Sequence, residues 1–266
     1  MAKTIKKNRE KELIKGSMKI KNNLRWKRKW GRSKRKKRGF YELYIKRPLD
    51  FVFALLGLIF FSPAMLVIAV IVWIKLGSPV IFVQKRPGLH EKIFKMYKFR
   101  SMSDAKDKDG NLLPDGERLG SFGKVLRATS LDELPELINI LKGDMSVVGP
   151  RPQLVRDMVF MSSKQRMRHD VRPGLSGLAQ VNGRNSIGWE EKLEWDLKYI
   201  NKITFSGDMK IVCQTIMKAF IKHEGINEEN MVTAEDYGDY LLQNRKIDRR
   251  EYSKKQLKAK KIIEGI

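Results

Sequence analysis

Cysteine and histidine are scarce in this sequence of 266 residues, which contains one cysteine, Cys213, and three histidines, His90, His169 and His223. A single cysteine excludes an intrachain disulfide framework and a cysteine-based metal site. The three histidines lie far apart in the sequence and form no zinc signature. Any catalytic chemistry must therefore come from other side chains, chiefly carboxylates and arginines.

Acidic residues are also in short supply: 30 Asp and Glu stand against 55 Lys and Arg, which gives a formal net charge of +25. Residues 1–50 hold 20 of the basic residues and only four acids, and tryptophans interrupt the basic run at residues 26–38. Such a segment fits a solvated, disordered arm. It equally fits an arm that binds an anionic surface, because each Lys or Arg gains about 1 kcal/mol near anionic lipid and Trp prefers the interface.

One long apolar run contrasts with this charge: residues 51–74 contain no charged side chain. About 20 such residues suffice to span a bilayer as a helix, and the run starts too late for a signal peptide. Basic residues flank both ends, so a single span would export one basic cluster. Ser62 and Pro63 lie at the middle, where proline removes a helical hydrogen bond and the serine hydroxyl can bond a freed carbonyl. A re-entrant helix-break-helix with this hinge is favoured, and a simple span is the alternative.

Shorter patterns predict an α+β fold, mostly helical. Strands are expected at residues 80–84 and 94–99, and amphipathic helices at 134–141, 189–203 and 209–221. The chain is expected to contain a basic arm (1–40), a re-entrant membrane hairpin (41–77), a cytoplasmic catalytic domain (78–225) and a charged, helical, partly disordered C-terminal tail (226–266).

The most informative stretch is Arg127-Ala-Thr-Ser-Leu-Asp132-Glu133-Leu-Pro135. Pro135 has to lie in the first turn of the predicted helix, since deeper in the helix it would break the hydrogen-bond ladder. Asp132 and Glu133 are therefore expected at the helix start. Ser130-x-x-Glu133 fits a capping box, so the two acids could serve only to cap the helix.

Nearby arginines favour a chemical role for the same acids. Arg127 lies five residues before Asp132, and Arg151 follows the predicted helix between two prolines that stiffen its backbone. A helix start attracts phosphate, and guanidinium groups suit bidentate phosphate binding. A carboxylate and a diphosphate repel each other, so the site would need these arginines and a divalent cation, for which magnesium is well suited. The pattern indicates attack by a carboxylate on phosphorus.

Seven motifs follow one another through residues 44–224. They are Lys46-Arg47-Pro48-x-Asp50, Ser62-Pro63, Lys98-Phe-Arg100-Ser-Met102, Thr129-Ser130-Leu-Asp132-Glu133-Leu-Pro135, Lys142-Gly-Asp144-Met-Ser146, Gly149-Pro-Arg151-Pro152 and Arg172-Pro-Gly174-x-x-Gly177-x-Ala179-Gln180-Val-Asn-Gly183-Arg184. Each motif is weak alone, but all seven in this order resemble the bacterial sugar transferase family, the monotopic phosphoglycosyl transferases, in its short form.

The resemblance implies a role for each matched residue. Asp132 matches the nucleophile that attacks the β-phosphate of a UDP-sugar, expels UMP and holds the sugar phosphate until a polyprenyl phosphate, commonly undecaprenyl phosphate, accepts it. Glu133 matches its partner at a magnesium ion, to which Asp132 is also assigned. Ser62 and Pro63 match the family's membrane hinge. The remaining matched positions are assigned to phosphate or substrate binding: Arg127, Arg151, Lys98, Arg100 and Arg184.

The resemblance thus implies a Mg²⁺-dependent priming enzyme of surface polysaccharide or glycoconjugate synthesis at the inner leaflet of the bacterial cytoplasmic membrane. Its partners would be a UDP-sugar, polyprenyl phosphate and anionic lipids rather than nucleic acid, and a homodimer stays open. Two other classes are alternatives. A nucleic-acid-binding protein would explain the basic arm but not the apolar run. A non-catalytic membrane scaffold would explain both, but not the clustered acids and arginines.

Overall fold

The protein is described by a computed structural model over residues 38–183, 187–220 and 235–265. Over these ranges the fold is mostly helical with two small sheets, as predicted. The helices are α1 (Lys46–Leu76), α2 (Asp115–Arg118), α3 (Ser121–Ala128), α4 (Glu136–Lys142), α5 (Val155–Met158), α6 (Ser163–Arg166), α7 (Leu178–Val181), α8 (Trp189–Asn201), α9 (Phe205–Phe220), α10 (Tyr237–Gln243) and α11 (Arg249–Glu264). The strands are β1 (Ile81–Pro87), β2 (Ile93–Phe99), β3 (Ser146–Val148) and β4 (Gly174–Ser176). A π-helical turn, Tyr41–Ile45, precedes α1, and 3₁₀ turns lie at Leu89–Glu91, Leu131–Glu133 and Met167–Asp170. Except for residues 38–40, the predicted basic arm lies outside the described residues.

The apolar run forms α1, which is long and apolar enough to cross a membrane. The predicted break at Ser62 and Pro63 is not an interruption, because one helix of 31 residues continues through Pro63. The missing N–H of Pro63 would have bonded the carbonyl of Ile59, four residues earlier. The Ser62 hydroxyl donates to that same carbonyl at 2.9 Å, as predicted. This substitute bond lets the helix continue where two shorter helices were expected.

One face of α1 packs against the rest of the fold. Ala54 is buried among side chains of β2 and α4, while Ile68 and Val72 are buried with Phe99 and Leu126. The opposite face around Pro63 is exposed and apolar, as at Ile59, Phe60, Leu66 and Val67. The helix is therefore held by the domain near both ends and presents an apolar surface between them.

The start of α1 is tied to the helix that follows the acid pair. The Arg47 guanidinium donates to the carbonyls of Ile140 and Leu141, in the last turn of α4, at 2.7 and 2.9 Å. The buried Asp50 carboxylate accepts from the Ser146 hydroxyl at 2.7 Å and from the backbone N–H of Val147 at 2.9 Å. The first matched motif thus joins the apolar helix to α4 and β3.

Two strand pairs support the site. Strands β1 and β2 form the predicted antiparallel hairpin, with Ile81 opposite Phe99. Strands β3 and β4 are parallel and bring the Gly149 and Gly174 motifs together. A Cβ atom on Gly174 would lie 2.0 Å from the Gly149 nitrogen, so this backbone contact requires glycine. The contact fixes the chain immediately before Arg151.

The C-terminal segment packs against the domain over residues 235–265. Tyr237, Leu241 and Ala259 are buried in a cluster that also contains Phe160 and Trp189. The segment is helical, as predicted. Its apolar side chains also form a buried face, which its high charge did not lead us to expect. The fourfold division of the chain stays a prediction.

Candidate active site

Asp132 and Glu133 lie in the 3₁₀ turn Leu131–Glu133, directly before α4. Ser130 adopts a left-handed conformation (φ 57°) and its side chain makes no capping hydrogen bond. Glu133 Oε1 instead accepts from Lys98 Nζ at 2.6 Å and from the Arg151 guanidinium at 2.7 Å. The capping alternative therefore does not describe this turn.

Both acids line a cleft of about 580 Å³. The structure brings four further predicted side chains to the same cleft: Lys98, Arg100, Arg127 and Arg151. Arg184 lies outside the described residues. Residues separated by more than 50 positions in the sequence thus meet around the acid pair.

The two acids differ in their surroundings. Burial, followed by the charge of Glu133, raises the pKa of Asp132 to about 6, against the opposing effect of nearby cations. Burial also opposes ionisation of Glu133, but Arg151 and Lys98 outweigh it and hold the pKa of Glu133 well below its usual range. No described residue donates a hydrogen bond to the Asp132 carboxylate. Glu133 is thus held as a paired anion, while Asp132 keeps its oxygens available.

Glu136 is a third acid that the sequence reasoning missed. Its carboxylate lies 3.1 Å from Lys98 Nζ, so Lys98 bridges Glu133 and Glu136. Burial raises the pKa of Glu136 to about 7, partly offset by Lys98. Burial alone would lower the pKa of Lys98, but Glu133 and Glu136 together raise it. Residues 132–136 contain three acids, and this local density was a signal that could have identified Glu136.

The predicted arginines have different roles in the geometry. Arg127 donates from Nε to the Ser101 hydroxyl at 2.9 Å and interacts electrostatically with Asp132. Arg100 lines the cleft, but its guanidinium bonds the carbonyls of Ser78 and Met102 and pairs with Asp104. Arg100 therefore holds the chain after β2, whereas Arg127 interacts with Asp132.

Arg151 is positioned by a buried ion pair that sequence reasoning also missed. Arg168 pairs with Asp196 at 2.7 Å, and both side chains are almost fully buried. The Arg168 guanidinium also donates to the Arg151 carbonyl at 2.5 Å. Together with the flanking prolines, this bond fixes the backbone from which Arg151 reaches Glu133. No local pattern connects positions 168 and 196, so only the fold reveals the pair.

The acid pair also suits a divalent cation bound together with a phosphorylated substrate. Among the described residues there is no group of three or more His, Cys, Asp or Glu side chains arranged to hold a metal ion alone. Magnesium usually takes only one or two carboxylates and completes its shell with phosphate and water oxygens. The Asp132 carboxylate and Glu133 Oε2, which accepts neither of the bonds made to Oε1, provide that donor set. The residues present therefore fit magnesium only in company with substrate.

The apolar helix and the charged cleft define a membrane-associated enzyme. The model of the family described as "Bacterial sugar transferase" matches residues 41–222. This range includes α1 and the cleft acids Asp132, Glu133 and Glu136. The chain belongs to the bacterial sugar transferase family and is a transferase.

Similar proteins are found in several bacteria. The uncharacterized sugar transferase EpsL of Bacillus subtilis (strain 168) is 48% identical over 195 residues, which cover 73% of this chain and 96% of that protein. The UDP-glucose:undecaprenyl-phosphate glucose-1-phosphate transferase of Klebsiella pneumoniae is 42% identical over 189 residues, or 67% of this chain and 41% of that protein. The UDP-N-acetylgalactosamine-undecaprenyl-phosphate N-acetylgalactosaminephosphotransferase of Aeromonas hydrophila is 39% identical over 185 residues, or 65% and 43%. The chain thus spans less than half of the two longer relatives.

Proposed function

We propose that this protein transfers a sugar 1-phosphate from a UDP-sugar to polyprenyl phosphate, as the priming step of a surface polysaccharide or glycoconjugate. The observation that carries the proposal is the asymmetry of the acid pair. Glu133 is held by Lys98 and Arg151, whereas Asp132 is buried, unbonded by described residues and turned to the cleft. The names of the Klebsiella and Aeromonas relatives support the choice of UDP-sugar and undecaprenyl phosphate as substrates.

In the first step, an Asp132 carboxylate oxygen attacks the β-phosphorus of the UDP-sugar. The bond from that phosphorus to the oxygen bridging the two phosphates breaks, and UMP leaves with the bridging oxygen and its electron pair. In the second step, a phosphate oxygen of the polyprenyl phosphate attacks the same phosphorus, and the Asp132 carboxylate is released. Each step forms one P–O bond and breaks one, which is nucleophilic catalysis by a carboxylate.

The surrounding side chains offset the charge that gathers in these steps. Arg127 and Arg151 flank the acid pair and are suited to hold phosphate oxygens in fixed directions. Lys98 keeps Glu133 ionised and in place. We propose that Asp132 and Glu133 hold a Mg²⁺ ion, which when bound would neutralise diphosphate charge and polarise the phosphoryl oxygens.

We also propose that α1 enters and leaves the cytoplasmic membrane through its inner leaflet. Ala54 and Val72 are both buried against one domain, although about 27 Å of helix separates them. That length approaches the hydrocarbon thickness of about 30 Å, so a spanning helix would carry the two positions to opposite faces. Basic residues at both flanks support the cytoplasmic side for the domain.

The transfer reaction is tested with the purified full chain, Mg²⁺, a panel of UDP-sugars and undecaprenyl phosphate, with UMP release as the measurement. We expect release with at least one sugar. Asp132→Asn should abolish release, whereas Asp109→Asn, in an exposed loop away from the cleft, should leave it unchanged. Turnover retained by Asp132→Asn would contradict the assignment of the nucleophile.

The topology is tested by labelling single cysteines in intact cells, in a Cys213→Ser background because Cys213 is exposed. Cysteines introduced near Lys46 and near Lys85 should be protected from a membrane-impermeant reagent until the cells are permeabilised. Labelling of the two positions from opposite faces would replace the re-entrant arrangement by a span.

A further inference from the structure

Among the cations that line the cleft outside the seven motifs, two form no ion pair with a described carboxylate. Arg86, near the end of β1, and Lys192, in the second turn of α8, both line it. Lys192 Nζ lies 5.6 Å from the centre of the Trp189 ring, and no described carboxylate pairs with it. The Arg86 guanidinium bonds only the neutral amide of Gln84, and its Nε is buried without a hydrogen-bond partner among the described residues.

Both cations lie close enough to Arg151 to be affected by its charge. Burial, and then the charge of Arg151, lowers the pKa of Lys192. The same two causes lower the pKa of Arg86 to about 10, against the opposing charges of Asp157 and Glu136. Other cleft cations are compensated directly: Lys98 and Arg151 pair with Glu133, and Arg156 pairs with Asp236. A partly buried cation beside like charge is unfavourable unless an anion arrives to compensate it.

Lys192 is also held in place from outside the family-matched region. The Trp189 indole N–H donates to the carbonyl of Glu235 at 3.0 Å. Glu190 accepts from the Tyr240 hydroxyl at 2.5 Å and pairs with Lys246. The C-terminal segment therefore fixes the first turn of α8, and the position of Lys192 is set before any ligand binds.

We propose that Arg86 and Lys192 form, beside Arg151, a second phosphate-binding subsite of the cleft. This proposal rests on the proposed function. While the phosphate under attack lies at Asp132, each reaction partner brings another phosphate: the donor carries the one that leaves with UMP, and the acceptor carries its own. The subsite holds the phosphate that is not being attacked and compensates the excess positive charge around Arg151.

UMP binding to the detergent-solubilised full chain tests the nucleotide as the source of this phosphate, and calorimetry measures it without turnover. Lys192→Met and Arg86→Met should each weaken UMP binding about tenfold, because each removes one charge-assisted contact. Lys192→Arg and Arg86→Lys should restore most of the affinity. These restored variants separate loss of charge from disruption of the fold.

The matched control is Lys198→Met. Lys198 lies on the same helix and also contacts a tryptophan ring, with Nζ 4.3 Å from the centre of Trp195, but it does not line the cleft. UMP affinity should be unchanged in this variant. An equal loss in Lys198→Met and Lys192→Met would overturn the subsite.

A second measurement tests the lipid as the source, through the KM for undecaprenyl phosphate. A tenfold rise in this KM with unchanged UMP affinity would support the subsite and assign it to the acceptor. Unchanged UMP affinity together with unchanged KM in both Met variants would overturn it and leave the transfer reaction intact. Wild-type protein that binds UMP through Lys192 but releases none from any UDP-sugar would contradict the proposed function alone.

Discussion

At the scale of single residues, the proposed reaction assigns different tasks to the two members of the acid pair. Glu133 is strongly paired and holds Lys98 and Arg151 near the reacting group. Asp132 is buried and accepts no hydrogen bond from a described residue, which would leave it weakly hydrated and nucleophilic in the proposed reaction, while nearby cations limit its protonation. The two neighbours differ because Lys98 and Arg151 hydrogen-bond Glu133, whereas they affect Asp132 only through their charge.

The pH dependence of the first step should report Asp132. Its pKa of about 6 means that the nucleophilic anion predominates above that pH and is lost below it. Single-turnover UMP release should therefore reach a plateau above about pH 7 and fall about tenfold per pH unit well below pH 6. A flat profile down to pH 5 would exclude a raised pKa at the nucleophile.

Asp132→Asn should stabilise the fold at neutral pH although it abolishes activity. The pKa of Asp132 is higher in the folded protein, at about 6, than its ordinary value of 3.8, so ionisation above pH 6 destabilises the folded state. Removing the carboxylate should raise the free energy of unfolding by on the order of 1–3 kcal/mol at pH 8. Near pH 3.5 the gain should vanish, because the carboxyl is then largely protonated in both states. Thermal unfolding at the two pH values measures the difference.

Glu133→Gln provides the comparison with the opposite sign. The pKa of Glu133 is lowered in the folded protein, so its charge stabilises the fold above the ordinary pKa of 4.5 and this contribution is lost as the pH falls towards the folded value. The variant should therefore lower the melting temperature at neutral pH. Equal shifts of the same sign in Asp132→Asn and Glu133→Gln would contradict the asymmetry of the pair.

At the scale of elements, Asn139 connects the helix after the acid pair to the strand that carries Lys98. Its side chain is fully buried, accepts from the Tyr97 N–H at 3.0 Å and donates to the Lys95 carbonyl at 2.7 Å. These bonds satisfy the Tyr97 N–H and the Lys95 carbonyl, which lie on the edge of β2 that does not pair with β1. The distance between Lys98 and Glu133 depends on this junction.

Asn139→Leu should destabilise the protein by about 2–4 kcal/mol, because it leaves two buried backbone groups without partners. Lys142→Met, on the same helix, removes an exposed bond to the Tyr97 hydroxyl and an exposed contact with the Tyr97 ring, and should change stability by less than about 1 kcal/mol. Thermal unfolding of both variants is the measurement. Similar stability of the two would show that Asn139 does not hold the junction.

The sequence predicted the elements that depend on neighbouring residues. The hairpin, α4, α8 and α9 follow from local periodicity, and Pro135 located the acid pair at the start of α4. The bonds of Asp50, Asn139 and Arg168 could not be predicted, because their partners lie between 28 and 97 positions away. The continuity of α1 was missed for a local reason, since a single hydroxyl compensates the hydrogen bond that Pro63 removes.

At the scale of the whole molecule, two segments of unusual composition, the apolar α1 and the charged C-terminal segment, pack against the domain that contains the cleft. The apolar α1 packs under α4, and the charged C-terminal segment packs on α8. The high charge of the C-terminal segment made its packing hard to predict, because only a few spaced apolar residues, among them Tyr237, Leu241 and Ala259, form the buried face of α10 and α11.

Leu241→Ala should reveal whether this C-terminal packing contributes to the stability of the whole. Leu241 is buried beside Trp189 and Leu193, so its truncation should cost about 2–4 kcal/mol. Leu257→Ala, on α11, removes a side chain that is 57% exposed and should have little effect. If both variants melted together with the wild-type protein, the segment would not be part of the cooperative fold.

The contacts made by Arg47 and Asp50 have a practical consequence for the handling of this protein. A water-soluble fragment without the residues before 78 would lack Arg47 and Asp50. The carbonyls at the end of α4 would lose their guanidinium donor, and the Ser146 hydroxyl and the Val147 N–H would lose their carboxylate acceptor. The fragment would also uncover the apolar side of α4, the helix that follows the acid pair. The anchor is thus a structural component of the enzyme, and detergent or nanodisc preparations of the intact chain are the appropriate samples.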